Sequence, residues 1–166
     1  MTQEQKDLLL KDLCSRLPYG VKCNVGDDKP YTLSGIDIDD KNGHLLDFKE
    51  KKDGLNMQVY ISEVKPYLFP LSSMTEEQLK EMQEIIGNPN EACISVNTSG
   101  LELWLNSVDT DPTIWLDTIF EVQDWLNRNH FDYRGLIKKG LAIDATNLNI
   151  YSFNPNKIND YMDFFN

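Results

Sequence analysis

The chain has 166 residues, of which 40% are hydrophobic and 10% aromatic, and this composition suits one packed domain rather than a disordered chain. It contains 16 Lys and Arg residues and 27 Asp and Glu residues, and the resulting net charge of −11 repels nucleic-acid phosphates and anionic lipid headgroups. Direct binding to nucleic acid or to a membrane is therefore not expected.

The first predicted element is a helix over residues 2–17. Thr2 and Gln5 have the spacing of a capping box, in which each side chain bonds the other's backbone N–H. Pro18 ends the helix, because proline disfavours helical geometry in the residue before it. One apolar stripe is expected to dock on the rest of the protein, and it contains Leu9, Leu10, Leu13, Cys14 and Leu17.

Residues 21–72 alternate in short apolar and polar runs, which is typical of an antiparallel sheet. The apolar phase shifts across Ser34-Gly35, and this predicts a β-bulge. Asn42-Gly43 predicts a tight hairpin turn, and the ligand spacing around it does not fit a calcium loop. Pro66 and Pro70 cannot donate ladder hydrogen bonds, so the last strand is expected to end here or to lie at the sheet edge.

Three further elements follow. A second helix is predicted to begin at Thr75 and to end at Gly87 in a left-handed cap. Residues 92–105 favour a second hairpin, although a helix over 101–107 remains open. Pro112 begins a long helix that we expect to be the main core helix. Its predicted buried face contains Trp115, Leu116, Ile119, Phe120, Val122, Trp125 and Leu126.

These elements predict an α+β fold, with a small, bent antiparallel sheet packed against three or four helices. The short strands leave closure into an SH3-like barrel open. We expect a single domain over residues 1–151, with a β-rich lobe at 19–72 and a helix-rich lobe at 73–151. Residues 152–166 form a C-terminal tail, rich in aromatic side chains, which either packs on the domain or acts as a recognition arm.

The stretch "NHFDYRGLI" at residues 129–137 holds the most concentrated polar chemistry. Asn129 is expected to end the long helix in the left-handed region, and the helix dipole should favour the charged form of His130. Phe131 and Tyr133 should face the core, while Gly135 permits the turn into a short helix closed by Gly140. Arg134 is expected to bond carbonyl groups or one of the carboxylates of Asp124, Asp132 and Asp144.

No nucleophile elbow, phosphate loop, dinucleotide fingerprint or zinc-protease motif occurs in the chain, so we expect a protein without enzymatic activity. Catalytic residues, metal sites and cofactors are not predicted. Because aromatic residues are favoured at binding surfaces, the surplus of tyrosine, tryptophan and phenylalanine favours a binding role. The candidate binding residues are His130, Asp132, Tyr133, Arg134, Tyr67 and Phe69.

The cysteines, Cys14, Cys23 and Cys93, lack metal-binding spacing and are interpreted as free buried thiols in a reducing compartment. The N-terminal stretch is charged and amphipathic, unlike a signal peptide, and no segment approaches the length of a membrane span. A cytoplasmic, soluble protein is therefore predicted.

Four stretches, "LLLKDLCSRLPYGVK", "EVKPYLFPLSSMTEEQ", "DWLNRNHFDYRGLIKKGLAI" and "ATNLNIY", together resemble a family of small uncharacterised proteins. That family is associated with gut Bacteroidales genomes and with their phages and mobile elements. The resemblance covers most of residues 1–151 and carries no reaction, ligand or catalytic residue. It implies a cytoplasmic accessory or host-modulating role.

Three functional hypotheses remain. The first is an accessory protein that binds an unknown protein partner through the bent sheet and residues 130–140, and the sequence leaves homo-oligomerisation open. The second is a small-molecule or nucleotide-binding protein with a pocket near His130 and Arg134. The third and weaker hypothesis is an acidic mimic of DNA that inhibits a nucleic-acid enzyme. Charge distribution separates them, because a nucleotide pocket needs local positive potential and mimicry needs one acidic face.

Overall fold

The computed structural model describes the backbone of residues 1–27, 29–39, 43–49, 56–87, 92–97, 100–105 and 112–151. Side chains are described in the same ranges except at residues 56, 92–97, 100–105 and 112–115. The predicted C-terminal tail at 152–166 lies outside the described residues.

The described residues form three α-helices and nine strands. The helices are α1 (Gln3–Arg16), α2 (Glu76–Ile86) and α3 (Pro112–Arg128). The strands are β1 (Lys22–Asn24), β2 (Tyr31–Asp37), β3 (Leu45–Lys49), β4 (Asn56–Tyr60), β5 (Lys65–Pro70), β6 (Ala92–Asn97), β7 (Gly100–Leu105), β8 (Phe131–Asp132) and β9 (Ile143–Asp144). No helix in the described ranges is both long enough and apolar enough to cross a membrane.

Seven of the strands form one open sheet in the order β4-β3-β2-β1-β5-β8, with β9 also paired to β5. Strands β1 to β5 pair antiparallel, as the alternating runs predict, whereas β8 and β9 join β5 in parallel. The α+β class is confirmed, and the sheet is mixed rather than wholly antiparallel. Closure into an SH3-like barrel is not confirmed.

Both predicted hairpins have their strands paired antiparallel. The ladder between β2 and β3 shifts register between Leu33 and Gly35, which confirms the predicted bulge. These two strands are antiparallel, as the predicted hairpin requires, although Asn42 of its turn lies outside the described residues. Strands β6 and β7 pair with each other, so the second hairpin is confirmed and 101–105 is not helical.

Of the two predicted alternatives for the prolines, β5 does end at Pro70, but it does not lie at the sheet edge, because it is placed between β1 and β8. Each neighbouring strand pairs with only two residues of β5. Two hydrogen bonds from β5 to the later segments use groups between the prolines: the Phe69 N–H donates to the His130 carbonyl at 2.9 Å, and the Leu68 carbonyl accepts from the Ala145 N–H at 2.8 Å. A central strand therefore tolerates Pro66 and Pro70 because its partners are short.

Capping boxes begin α1 at Thr2 and α2 at Thr75, as predicted. Gly87 follows α2 with a φ of 88°, but its ψ of −134° lies outside the left-handed helical region, so the predicted cap is wrong in detail. Cys14 is exposed rather than part of the buried stripe, while Cys23 is buried as expected. The side chain of Cys93 lies outside the described set.

The buried apolar side chains form two clusters. The larger one joins α1 to the sheet and includes Leu9, Leu13, Leu46, Phe48 and Leu136. The smaller one lies between α2, α3 and β8 and contains Met82, Ile86, Val122, Trp125, Leu126 and Phe131. Because the larger cluster takes residues from both 19–72 and 73–151, the two-lobe division stays a prediction.

Helix α3 differs most from its predicted role. Val122, Trp125 and Leu126 are buried as expected, but Leu116, Ile119 and Phe120 are 52%, 45% and 59% exposed. The buried face of α3 also includes Thr118, so Leu116, Ile119 and Phe120 lie on a neighbouring, uncovered side of the helix. The expectation that all of α3 is a core helix is therefore wrong.

The bulge at Gly35 yields a stability prediction. A Cβ atom at this position would lie 2.7 Å from Asp47 Oδ2 and 3.3 Å from Asp47 Cβ. We expect Gly35→Ala to lower the free energy of unfolding by about 1–2 kcal/mol, measured by urea denaturation, because this contact forces a local shift. The double variant with Asp47→Ala should recover most of the loss. An equal cost in both backgrounds would contradict the contact as the cause.

Candidate functional site

A fully buried arginine, Arg16 at the end of α1, organises the region around the 129–137 segment. Its Nε and Nη2 donate to Asp12 Oδ2 and Oδ1 at 2.8 and 3.1 Å. Its Nη1 donates to the Leu126 carbonyl at 3.4 Å, and its Nη2 donates to the Phe131 carbonyl at 2.7 Å. One guanidinium therefore joins α1 to the end of α3 and to β8, in the bidentate geometry that favours arginine over lysine.

The sequence analysis missed this pair, although the chain contains a signal for it. The four buried positions of α1 are Leu9, Asp12, Leu13 and Arg16, which follow the i, i+3, i+4, i+7 spacing of one helix face. Two of these positions are charged, and their i, i+4 spacing permits a bidentate ion pair within the helix. A search for opposite charges on the apolar face would have found Asp12 and Arg16.

Arg134 contacts a carboxylate that the sequence analysis did not consider. Its Nε lies 3.4 Å from Oδ1 of the fully buried Asp12, so the expected carboxylate partner is confirmed, but it is Asp12 rather than Asp124, Asp132 or Asp144. The Arg134 side chain is 23% exposed, and its guanidinium carbon lies 4.9 Å from the centre of the Tyr133 ring. Arg134 thus joins the cluster of Asp12 and Arg16 from its solvent side.

Asp132 has a structural role in the turn that follows β8. It is buried, and its Oδ1 and Oδ2 accept from the backbone N–H groups of Leu136 and Ile137, each at 2.8 Å. The segment after Gly135 is a series of hydrogen-bonded turns rather than the predicted short helix. Gly135 and Gly140 both have a φ of 70°, which the residue type allows without strain.

His130, rather than Asn129, takes the left-handed conformation after α3, with a φ of 58°. Its ring stacks on Tyr151 with the centroids 4.0 Å apart, and its Nδ1 is buried without a hydrogen-bond partner among the described residues. Burial, with the nearby charges of Arg16 and Lys22, lowers the pKa of His130 to about 3. The expected charged form is therefore wrong, because burial and these two cations outweigh the helix dipole.

The two predicted binding residues on β5 lie beside this histidine. Tyr67 is buried, and its carbonyl accepts from the Tyr151 hydroxyl at 2.9 Å. The Phe69 ring lies 5.8 Å from the Tyr151 ring and 6.2 Å from the Phe131 ring. These aromatic contacts connect the central strand to the segment after α3.

Tyr133 completes the group and is partly exposed. Its hydroxyl donates to Asn127 Oδ1 at 3.0 Å and accepts from Gln123 Nε2 at 3.1 Å, so its ring is oriented by α3. The structure brings the six predicted binding residues into one region, and it gives each a partner within the protein. As binding residues they stay a prediction.

A second surface of interest is a groove along the C-terminal half of α3, with a volume of about 510 Å³. Its lining residues are Ile85, Phe120, Glu121, Asp124, Trp125 and Arg128. Arg128 and Asp124 form an ion pair at 2.6 Å across one end, and the Tyr19 hydroxyl also bonds Asp124. The groove therefore has an apolar floor and a charged rim.

Within the described ranges, no group of three or more His, Cys, Asp or Glu side chains could hold a metal ion. Comparisons of the chain with protein-family models, curated proteins and solved structures find no match.

The buried ion pair predicts unequal effects for the two arginines. Arg16→Met leaves the Asp12 carboxylate buried without its bidentate partner, so we expect a loss of about 3–5 kcal/mol in the free energy of unfolding. Arg134→Ala should lower the melting temperature and cost only about 1 kcal/mol, because Asp12 keeps both bonds to Arg16. Urea denaturation at neutral pH measures both changes. Equal costs would contradict the central role of Arg16.

The neutral His130 predicts a specific pH dependence. Its folded pKa of about 3 lies below the ordinary value of 6.5, so the unfolded chain binds a proton first as the pH falls. Above about pH 6.5 the titration of His130 leaves the free energy of unfolding unchanged. Between about pH 6.5 and pH 3 it lowers the free energy of unfolding by about 1.4 kcal/mol per pH unit.

The variant His130→Asn tests this dependence, because asparagine tolerates the positive φ and does not titrate. Between neutral pH and about pH 5, the variant should lose about 2 kcal/mol less stability than the wild type. Denaturant titrations at the two pH values measure the difference. Parallel losses in the two proteins would show that His130 titrates normally.

Proposed function

We propose that this protein acts without catalysis by binding a partner protein through the exposed apolar face of α3, formed by Leu116, Ile119 and Phe120. The observation that carries the proposal is their exposure of 52%, 45% and 59% on one helix face. Their i, i+3, i+4 spacing makes them neighbours. Contiguous apolar side chains on a soluble protein are typical of interaction surfaces.

The groove next to these residues extends the same surface. Phe120 belongs to both, and the groove continues toward Ile85 and the edge of the buried Trp125. Aromatic residues at the centre of such surfaces contribute a large share of binding energy.

The charges around the face favour a basic partner. Asp117 and Glu121 are exposed on α3 beside this face, whereas Asp124 is already paired with Arg128. With a net charge of −11, a second copy of the chain would meet like charge at this surface. The partner we propose therefore carries an apolar segment flanked by Lys or Arg residues, whose association these acids accelerate.

The resemblance to proteins of mobile elements supports a cytoplasmic accessory role, in which the bound partner is a host protein. This proposal moves the binding surface from the sheet and residues 130–140 to α3. The exposed apolar face of α3 favours this surface, because His130, Asp132 and Tyr133 are already bonded or stacked within the protein.

Site-specific crosslinking in host cells tests the proposal. A photo-crosslinking phenylalanine analogue at position 120 should capture one defined protein, and the same analogue at position 60 should not. Tyr60 is a matched control, because it is 49% exposed on β4. With the purified partner, Phe120→Ser should weaken binding by about 30-fold or more, the effect of losing an aromatic hot spot, and Tyr60→Ser should leave it unchanged.

The rate of association and its dependence on salt test the proposed basic charge of the partner. Glu121→Lys should slow association and reduce its dependence on salt, because it removes one attractive charge from the rim. Capture of a second copy, a crosslink within the same chain, or no capture above the position-60 control would each overturn the proposed partner.

A further inference from the structure

A separate site is suggested by an imbalance of charge around Asp12. This one carboxylate faces two guanidinium groups, and Arg16 occupies both of its oxygens at 2.8 and 3.1 Å. The Nε of Arg134 lies 3.4 Å from Oδ1 but makes no hydrogen bond there. Since arginine stays protonated in proteins, the cluster carries one positive charge that Asp12 does not neutralise.

The guanidinium of Arg134 is held in place by its neighbours. The Tyr133 ring lies 4.9 Å from its central carbon, and the Tyr133 hydroxyl is bonded to two side chains of α3. In the part of the chain that the structure describes, the side chain of Arg134 makes no hydrogen bond. Asp12 and the Tyr133 ring set the orientation of this side chain before any ligand arrives, which lowers the entropic cost of binding. Its partial exposure leaves it accessible to a ligand.

The segment around Arg134 is basic, although the whole chain carries a net charge of −11. Residues 133–140 contain Arg134, Lys138 and Lys139 and no acidic residue. Asp132, the acid that precedes this stretch in the sequence, is buried and bonded through both oxygens to backbone N–H groups, and Asp12 is already bonded to Arg16. The Lys139 Nζ donates to the carbonyl of Arg134 at 3.1 Å, which holds a second cation beside this turn. This is the local positive potential that an anion site needs.

We infer that Arg134 anchors an oxyanion-binding site at the 133–140 turn, with a phosphate group as ligand and Lys139 as the second cation. An arginine fork presents parallel N–H donors that match two oxygens of one phosphate or carboxylate. The site uses none of the apolar residues of α3, so it goes beyond the proposed partner binding and can succeed or fail independently of it.

The test is an NMR titration of the whole ¹⁵N-labelled protein with inorganic phosphate, at ionic strength held constant with chloride. The Nε–Hε signal of Arg134 and the backbone amides of 134–139 should shift and saturate. Arg134→Lys keeps the charge but loses the fork, and it should weaken binding by about tenfold. Lys139→Gln should weaken binding less, and Lys80→Gln on α2 should leave it unchanged, which controls for the loss of one positive charge.

The remaining signals of each variant show whether it is folded. If Arg134→Lys is destabilised, Lys139→Gln still carries the test. An acetate titration forms the second arm. Saturation by phosphate alone supports the phosphate ligand, and saturation by acetate alone supports the oxyanion site while overturning phosphate. Identical shifts with chloride, or phosphate binding that Arg134→Lys and Lys139→Gln both leave unchanged, would overturn the site.

Discussion

The hydrogen bonds of Arg16 are the constraint on which the rest of this region depends. A guanidinium without water contact must satisfy its donors within the protein, and here they go to Asp12 and to the carbonyls of Leu126 and Phe131. These bonds set where α3 ends relative to α1. They also hold β8 beside β5, since Phe131 is its first residue. The left-handed His130, the aromatic contacts of Tyr151 and the position of Arg134 all depend on this arrangement.

Features decided within a few residues could be predicted from the sequence. Both capping boxes need only two side chains three positions apart, and both are present. The bulge at Gly35 appears as a shift in apolar phase, and the β6–β7 hairpin appears as two alternating runs around a turn. In each case the chemistry that selects the backbone lies in the same short stretch, so distant contacts do not override it.

Features that depend on distant contacts could not be predicted in the same way. Arg16 and the Phe131 carbonyl are 115 residues apart, and nothing near Arg134 indicates Asp12 as its neighbour. The pKa of His130 depends on burial that only tertiary packing creates. For α3, periodicity shows that one face is apolar and does not show what covers it. For this reason Phe120 was predicted in the core although it is among the most exposed apolar residues.

The late strands of the sheet bear on how the chain folds as the ribosome makes it. Strand β5 pairs with residues 131–132 and 143–144, and Arg16 bonds the carbonyl of Phe131, which lies 115 residues later in the chain. At typical synthesis rates of about 5–20 residues per second, that interval lasts roughly 6–23 s. During it, Asp12 and Arg16 have only each other, and one edge of β5 has no parallel strand. The nascent chain therefore cannot complete its native contacts until nearly all of the described residues have been translated.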